Sequence, residues 1–211
     1  EVELCRTINA SGPAILAEEV KKHGSYLIQI STDFVFGDLS NDAQDEDSKV
    51  NPLSVYGQTK YEGEQNVFAS GCKASVMRVE WTFGRHGNNF VSKMLDLASK
   101  MKELKVVDDQ IGSPTSTVYA AEAILCLAEK QPQSLFHFAS NGYCSRYECA
   151  KAIFENAGIK DIIVHACKTS DFKTPARRPL NSKFNCTKID GVLNFKRPLW
   201  QDALAKYMKQ A

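Results

Sequence analysis

Residues 26–33, Tyr-Leu-Ile-Gln-Ile-Ser-Thr-Asp, decide how the rest of the sequence is interpreted. The short, continuous apolar run over residues 26–31 predicts a buried strand, as in parallel sheets. Helical periodicity precedes it over residues 6–22 and ends at Gly24. A second helical pattern follows over residues 53–69, with Pro52 at its entry. A buried strand between two helices is the repeating unit of an α/β fold.

The same alternation continues to the C-terminal end of the chain. Further strands are predicted at 74–79, 104–107, 135–138 and 162–165, and further helices at 90–100, 118–130, 147–157 and the C-terminus. Strands that alternate with helices of ten or more residues favour a parallel sheet. The sequence therefore predicts the α/β class, and it contains no internal repeat or low-complexity linker.

The composition excludes several classes of function. The 211 residues are 43% hydrophobic and 24% charged, and their net charge is +1. Such a balance offers no basic surface for nucleic acid or for an anionic membrane. The first residues have neither the basic start nor the apolar stretch of a signal peptide, and no apolar run has the length of a transmembrane helix. We therefore expect a cytoplasmic protein with no nucleic-acid or membrane partner.

The seven cysteines are scattered and form no Cys-x-x-Cys pair. An odd, scattered set favours reduced structural thiols over disulfides. Cys144 and Cys149 lie near His137 in the sequence, and His165 follows them, but no second pair of ligands has the spacing typical of zinc sites. We expect no metal site.

Polar residues end the strand that begins at Tyr26. Ser31, Thr32 and Asp33 stand where the carboxyl end of a parallel strand would face a ligand. A hydroxyl group there can form a hydrogen bond with a substrate oxygen. The alternative is that Thr32 and Asp33 only start a turn, as such residues often do.

A Tyr-x-x-x-Lys pattern opens the next helix, with Tyr56 and Lys60 on one helical face. A tyrosine with a pKa of about 10 is a poor acid-base catalyst at neutral pH. A cation one turn away favours the phenolate, and we expect Lys60 to lower the pKa of Tyr56 into a useful range. The pattern is weak by itself, because Tyr147 and Lys151 repeat it in a helix that looks amphipathic and solvated. Only Tyr56 follows a strand that ends in hydroxyl groups.

Longer motifs carry a resemblance to a known family. The chain resembles the extended short-chain dehydrogenase/reductases at residues 30–37 and 51–64. More narrowly, it is similar to the dTDP-4-dehydrorhamnose reductases at Gly84-Arg-His-Gly-Asn-Asn-Phe-Val, Val106-Val-Asp-Asp-Gln-Ile-Gly-Ser-Pro-Thr and Thr174-Pro-Ala-Arg-Arg-Pro-Leu-Asn-Ser. These motifs occur in the right order, and the resemblance covers nearly the whole chain.

The resemblance implies a reaction and assigns roles to the catalytic residues. The family reduces the 4-keto group of dTDP-4-dehydro-L-rhamnose with NADPH, with NADH as the open alternative. By this resemblance Tyr56 protonates the reacting oxygen, Lys60 binds the nicotinamide ribose, and Thr32 forms a hydrogen bond with the same oxygen. Ser31 is expected to contact the cofactor and Asp33 the substrate.

Further residues correspond to binding residues of the family, and each also has a purely structural interpretation. Trp81 corresponds to an aromatic near the sugar, where an indole suits the apolar side of a deoxysugar, but it could equally be a core residue. Asn9 corresponds to a helix asparagine that supports the active-site lysine through water, or it is a surface amide. Arg177 and Arg178 could pair with a nucleotide diphosphate, or they are surface charges in a turn between Pro175 and Pro179. Three residues of the 108–115 loop, Asp108, Asp109 and Gln110, are expected to shape that loop.

The sequence departs from the family at the cofactor-binding turn. None of the twelve glycines forms the strand-to-helix turn that meets a cofactor pyrophosphate. We therefore expect a partial Rossmann-type parallel sheet that lacks the N-terminal βα units, with a small α/β substrate-binding domain. The missing Met favours a fragment of a longer reductase over a naturally short chain, and such a chain alone should bind NADPH poorly. The predicted division assigns 1–81 and 118–133 to the Rossmann domain, 82–117 and 134–190 to the substrate-binding domain, and 191–211 to a C-terminal helix.

Two rival functions remain open at this stage. One is a non-catalytic regulatory subunit that resembles the β subunit of methionine adenosyltransferase, which belongs to the same superfamily. The other is a reductase or epimerase that acts on another nucleotide sugar. The presence of Thr32, Tyr56 and Lys60 together argues against the first. A homodimer is compatible with the resemblance.

Overall fold

The computed structural model describes residues 1–172, 174 and 176–210. Its first helical segment comprises α1 (Val2–Arg6), a π-helical turn (Thr7–Ser11) and α2 (Gly12–Lys22). The sequence predicted a helix at 6–22; the structure confirms this helix and places its start earlier, at Val2. The remaining elements are β1 (Tyr26–Thr32), a 3₁₀ turn (Asp33–Val35), α3 (Val55–Ser70), β2 (Lys73–Val79), β3 (Thr82–Phe83), α4 (Phe90–Ala98), β4 (Glu103–Val107), β5 (Ile111–Gly112), β6 (Thr115–Ser116), α5 (Thr117–Lys130), β7 (Leu135–Phe138), β8 (Cys144–Ser145), α6 (Arg146–Asn156), β9 (Ile163–Cys167), a 3₁₀ turn (Thr169–Asp171), α7 (Thr187–Asp190) and α8 (Trp200–Met208).

The main sheet has three parallel strands in the order β1-β2-β7. Thr32 pairs with Val79, and Val79 pairs with Phe138, so the carboxyl ends of all three strands lie side by side. Helices connect the strands, because parallel neighbours cannot be joined by a tight turn. The α/β class with a partial Rossmann-type parallel sheet is therefore confirmed.

A second group of strands lies apart from this sheet. β4 and β9 form a parallel pair. Two pairs of only two residues per strand are separate from it: β3 and β6 are parallel, and β5 and β8 are antiparallel. A separate apolar cluster packs α4, α6 and α8 against β4. The sheet has its own clusters, one with α5 and α7 and one with α2 and α3. The separation of the first cluster from the two that cover the main sheet supports a division of the chain into two parts.

Two details differ from the predicted division. Residues 135–138 were assigned to the substrate-binding part, but β7 pairs with β2 and is the third strand of the main sheet. The predicted C-terminal helix at 191–211 is shorter, because α8 spans only Trp200–Met208. The division as a whole remains a proposal.

Helix α3 carries the Tyr-x-x-x-Lys pattern and is fixed at its start and end. Ser54 caps it by accepting a hydrogen bond from the backbone N–H of Gly57, and Gly71 ends it at a φ of 70°. A Cβ atom at Gly57 would lie 2.0 Å from the carbonyl oxygen of Phe34. Glycine at this position therefore lets the first turn of α3 approach the end of β1.

The side of α3 that faces the sheet carries a buried ion pair. The Arg78 guanidinium donates to both carboxylate oxygens of Glu64, at 2.9 and 2.6 Å, and both side chains are almost fully buried. His137 accepts a third hydrogen bond from Arg78 at 3.3 Å, and it donates to the carbonyl of Gln44 at 3.1 Å. Burial, the largest effect, and the nearby Arg78 charge lower the pKa of His137 to about 3, so its ring is neutral.

Two further findings concern the whole described chain. No helix within residues 1–172 or 176–210 is both long and apolar enough to cross a bilayer. All seven cysteines are free thiols.

Candidate active site

The candidate site lies beyond the carboxyl ends of β1 and β2. Asp33 is buried at the end of β1, where its carboxylate accepts hydrogen bonds from the hydroxyls of Thr32 at 3.0 Å and Ser182 at 2.6 Å. Burial raises the pKa of Asp33, and these two hydrogen bonds oppose the rise. Ser182 arrives from the far end of the chain, so the loop that precedes α7 closes over the strand end.

Tyr56 stands on the first turn of α3, beside Thr32. Its ring meets the Phe34 ring edge-on at 5.4 Å between centroids, and the backbone N–H of Phe34 donates to the Thr32 hydroxyl at 3.2 Å. Partial burial raises the pKa of Tyr56, the nearby Thr32 hydroxyl lowers it, and the Asp33 charge raises it again. The net direction is upward, which keeps the phenol protonated at neutral pH.

This result corrects one expectation. We expected Lys60 to lower the pKa of Tyr56, but the Lys60 ammonium instead donates to the carbonyl of Ile30 at 2.6 Å. Burial lowers the pKa of Lys60 itself, and the charge of Glu64 opposes that effect. One helical turn brings the two side chains to the same face, but the carbonyl at the end of β1 decides where the ammonium lies.

The expected cofactor residues lie around Lys60. The Ser31 hydroxyl is buried and has no hydrogen-bond partner among the described residues. The Asn9 amide donates to the hydroxyl of Thr59 at 3.2 Å and to the sulfur of Cys5 at 3.3 Å. Asn9 therefore binds α3 one residue before Lys60, and the structure shows no direct hydrogen bond between Asn9 and Lys60.

A cavity of about 970 Å³ is lined by Trp81, which follows β2 after Glu80, and by residues of α4, β4 and the start of α6; Thr32, Tyr56 and Lys60 are not among its lining residues. Its walls combine aromatic, amide and basic side chains, among them Trp81, Asn89, Phe90, Lys105, Gln110, Arg146 and Arg178. A mixture of apolar surface with a few charged groups is typical of small-molecule sites.

Trp81 lies in this cavity in an unusual backbone conformation. Its φ is 44°, a left-handed value that is rare for a bulky residue and often occurs at functional sites. The Arg146 guanidinium covers one ring face at 3.5 Å from the centroid. A Cβ atom at Gly112 would lie 2.4 Å from Glu80 and 2.7 Å from the Trp81 ring. Glycine there lets the 108–115 loop pass directly beside both side chains.

The two arginines of the 174–182 motif separate in the structure. Arg178 lines the cavity. Arg177 is exposed and pairs with Asp38 at 2.9 Å, and Asp38 also accepts the backbone N–H of Leu180 at 2.8 Å. Arg177 therefore anchors the loop to the 38–51 segment. Pro175, which we expected to hold this doublet, lies outside the described residues.

The loop residues Asp108, Asp109 and Gln110 form contacts with the segment after β9. Asp109 accepts hydrogen bonds from the backbone N–H and hydroxyl of Thr169, and Gln110 donates to the same hydroxyl at 3.1 Å. Asp108 pairs with Lys168 at 2.8 Å. These contacts fit the expected role of shaping the loop.

Sequence reasoning missed two residues near this site. Glu80 follows β2 as Asp33 follows β1, and this equivalent position was the signal that could have found it. It is almost fully buried, one oxygen accepts the backbone N–H of Ser113 at 2.8 Å, and the other has no partner among the described residues. Burial and the nearby Asp33 charge raise its pKa well above the usual value. Arg146 had no comparable signal, because only the fold brings it to Trp81.

Within the described parts of the chain, no group of three or more His, Cys, Asp and Glu side chains could hold a metal ion.

A Rossmann-type sheet with a tyrosine and a lysine at the end of its strands defines an oxidoreductase fold of the extended short-chain dehydrogenase/reductase type. The whole chain, residues 1–211, matches the RmlD substrate binding domain. The chain belongs to this family.

Named relatives agree with the family match. The chain is 36% identical to the dTDP-4-dehydrorhamnose reductase of Aggregatibacter actinomycetemcomitans, over 97% of this chain and 73% of that protein. It is 33% identical to the spore coat polysaccharide biosynthesis protein SpsK of Bacillus subtilis, over 100% of this chain and 73% of that protein. The chain therefore spans about three quarters of the length of these relatives.

A solved structure shows the same fold at high similarity. The dTDP-4-dehydrorhamnose reductase of Bacillus anthracis, in complex with NADP, superposes with a TM-score of 0.95 at 34% identity, covering 100% of this chain and 75% of that one.

Proposed function

We propose that this chain is the catalytic and substrate-binding part of a dTDP-4-dehydrorhamnose reductase. In this reaction the 4-keto group of dTDP-4-dehydro-L-rhamnose is reduced to a hydroxyl group. The observation that carries the proposal is the position of Tyr56 and Thr32 together at the end of β1. A cavity large enough for a nucleotide sugar is lined by Trp81, just after the neighbouring strand β2. The names of the relatives support the same substrate.

The residues present fit one half of a nicotinamide cofactor. The buried hydroxyl of Ser31 has no hydrogen-bond partner among the described residues, and the Lys60 ammonium donates to the carbonyl of the preceding Ile30, near the carboxyl end of β1 where open α/β sheets bind ligands. These two groups would hold the nicotinamide ribose, and Asn9 would support them through α3. NADPH, when bound, supplies the hydride that reduces the keto carbon, and NADH is the alternative to test.

The proton chemistry is assigned to Tyr56. Because the pKa of Tyr56 is raised above its ordinary value, its phenol is protonated at neutral pH and can donate a proton to the C4 oxygen as that oxygen gains negative charge. The Thr32 hydroxyl is assigned to the same oxygen; it has one proton, which it donates to Asp33 in this structure and would turn to the substrate oxygen on binding. Asp33 therefore acts on the substrate through Thr32 and closes the floor of the site with Ser182.

The cavity walls are assigned to the nucleotide sugar. Trp81 has one ring face covered by Arg146, which leaves the rest of the indole for the deoxysugar. Arg178 is the arginine of the doublet that faces the ligand, whereas Arg177 holds the loop through Asp38. The proposed substrate-binding part comprises 82–117 and 139–186, and the Rossmann part comprises 1–81, 118–133, β7 and α7, which packs on the main sheet.

A turnover assay tests the proposal and its rivals. The full-length protein should oxidise NADPH when dTDP-4-dehydro-L-rhamnose is added. Absence of turnover with any nucleotide sugar would favour the regulatory-subunit alternative. A faster reaction with another member of a panel of 4-keto nucleotide sugars would favour the second rival.

The proposal includes the location and the oligomeric state of the protein. A biosynthetic reductase of this kind is proposed to act in the cytoplasm, which fractionation of the source cells would test. A homodimer is proposed for the full-length protein, and light scattering should then give twice the mass of one chain.

A further inference from the structure

We propose that Arg146 binds the sugar-proximal phosphate of the nucleotide sugar, and that Arg146 and Arg178 together form its diphosphate site. This inference rests on the proposed function and names a specificity-determining residue for it.

The position of Arg146 makes it a part of the cavity wall. It is the first residue of α6, and its guanidinium lies 3.5 Å from the centroid of the Trp81 ring and 4.9 Å from that of Phe90. Stacking on two aromatic rings fixes the plane of the guanidinium and leaves its edge N–H groups free to bind a ligand. Burial lowers the pKa of Arg146 to about 10, so the side chain is still charged at neutral pH.

Two buried acids and a second arginine act on the charge of Arg146. Across the part of the chain that the structure describes, neither Arg146 nor Arg178 has a carboxylate within 4.0 Å or a side-chain hydrogen bond. The charges of Asp33 and Glu80, both buried, raise the pKa of Arg146 without pairing directly with it. Arg178 lies close enough to lower the pKa of Arg146 further by repulsion. Two cations that face one cavity are stabilised when an anion binds between them.

The order of groups along the ligand assigns the phosphate. In a nucleotide sugar the second phosphate is bonded directly to the sugar. Trp81 follows the end of β2, next to Glu80, and therefore marks the sugar end of the cavity. Because Arg146 stacks on Trp81, it should meet the phosphate that is bonded to the sugar. A guanidinium can bind two oxygens of that phosphate at once.

Calorimetric titration of the full-length protein with dTDP and with dTMP tests this assignment, since dTMP lacks the second phosphate. Arg146→Gln should weaken dTDP binding roughly ten- to hundredfold, the expected range for a charged hydrogen-bond partner, and leave dTMP binding unchanged. Lys151→Gln is the matched control, because Lys151 is an exposed cation on the same helix that lies 5.5 Å from the ring of Tyr147. Arg146→Lys keeps the charge and should recover part of the dTDP affinity.

Several outcomes would overturn the inference. Wild-type affinity of Arg146→Gln for dTDP would do so while the proposed function stands, provided that the wild type reduces the keto sugar. Equal weakening of dTDP and dTMP would assign Arg146 to the nucleoside or to the fold. A wild-type protein that binds no dTDP and reduces no keto sugar would remove both proposals.

Discussion

Two helices of this protein carry the same Tyr-x-x-x-Lys spacing with different surroundings. In α3, Lys60 donates to the carbonyl of Ile30 at 2.6 Å, and Tyr56 lies beside Thr32. In α6, the ammonium of Lys151 lies 5.5 Å from the ring of its own Tyr147, and Lys151 is exposed. The i, i+4 spacing brings two side chains to one face in both helices. Only α3 lies beside the end of β1, and this position makes Tyr56 a candidate proton donor and Lys60 a candidate cofactor ligand.

The two helices are also anchored by different forces. Helix α3 is tied to the sheet by the buried Glu64–Arg78 ion pair. Helix α6 packs through apolar side chains in the second core, and Ser145 and Glu148 form a capping box at its start. Removing one partner of a buried ion pair costs more free energy of unfolding than removing an apolar or capping contact, because the other charge stays buried. The predictions below use this difference.

The largest expected effect on stability is at the charged anchor of α3. Glu64→Ala should lower the free energy of unfolding by about 3–5 kcal/mol, because it leaves Arg78 buried without its carboxylate. Glu148→Ala on α6 is the control, and loss of its part of the capping box should cost only about 1 kcal/mol. Urea denaturation of both variants measures the difference. Equal losses would contradict the contrast between the two anchors.

A pH series examines the same anchor through His137. The unfolded chain binds a proton at this residue below pH 6.5, whereas the folded protein does so only near pH 3. Stability therefore falls as the pH falls through this window, and at pH 4.5 the loss is about 2–3 kcal/mol. His137→Gln should remove this component from the pH dependence of unfolding. An unchanged slope in the variant would show that His137 is not the group responsible.

A smaller effect is expected from the lysines themselves. Lys60→Met should lower the free energy of unfolding by about 1.5–3 kcal/mol, because the hydrogen bond of a charged group to Ile30 is lost. Lys151→Met should change it by less than about 0.5 kcal/mol, as is usual for exposed positions. Thermal or urea unfolding of the matched pair checks the difference. A larger loss from Lys151→Met would reverse the comparison.

Much of the fold could be predicted from local patterns. The periodicity that predicted α3 at 53–69 and β1 at 26–31 agrees with the structure within two residues at each end. The two-residue strands β3, β5, β6 and β8 were missed, because so short a run carries no periodicity. The pairing of β7 with β2 was also missed, because strand order depends on contacts between segments far apart in the sequence.

The site was predictable where it follows strand ends and motifs, and not where it depends on tertiary contacts. Thr32, Asp33 and Tyr56 were predicted and lie together at the end of β1. Arg146 meets Trp81 only because α6 packs against the loops after β2. In the same way, Arg177 turns away to Asp38 while its neighbour Arg178 lines the cavity, and no local pattern distinguishes two adjacent arginines.

The most direct test of the account compares the two tyrosines by kcat. Tyr56→Phe and Tyr147→Phe each remove one hydroxyl from the same sequence pattern, and both are assayed in the full-length protein with NADPH and dTDP-4-dehydro-L-rhamnose. Tyr56→Phe should lower kcat roughly 10²–10⁴-fold with cofactor affinity kept, because only the proton donor is lost, while Tyr147→Phe keeps the wild-type kcat. Normal turnover by Tyr56→Phe would contradict the assignment of Tyr56 as the proton donor.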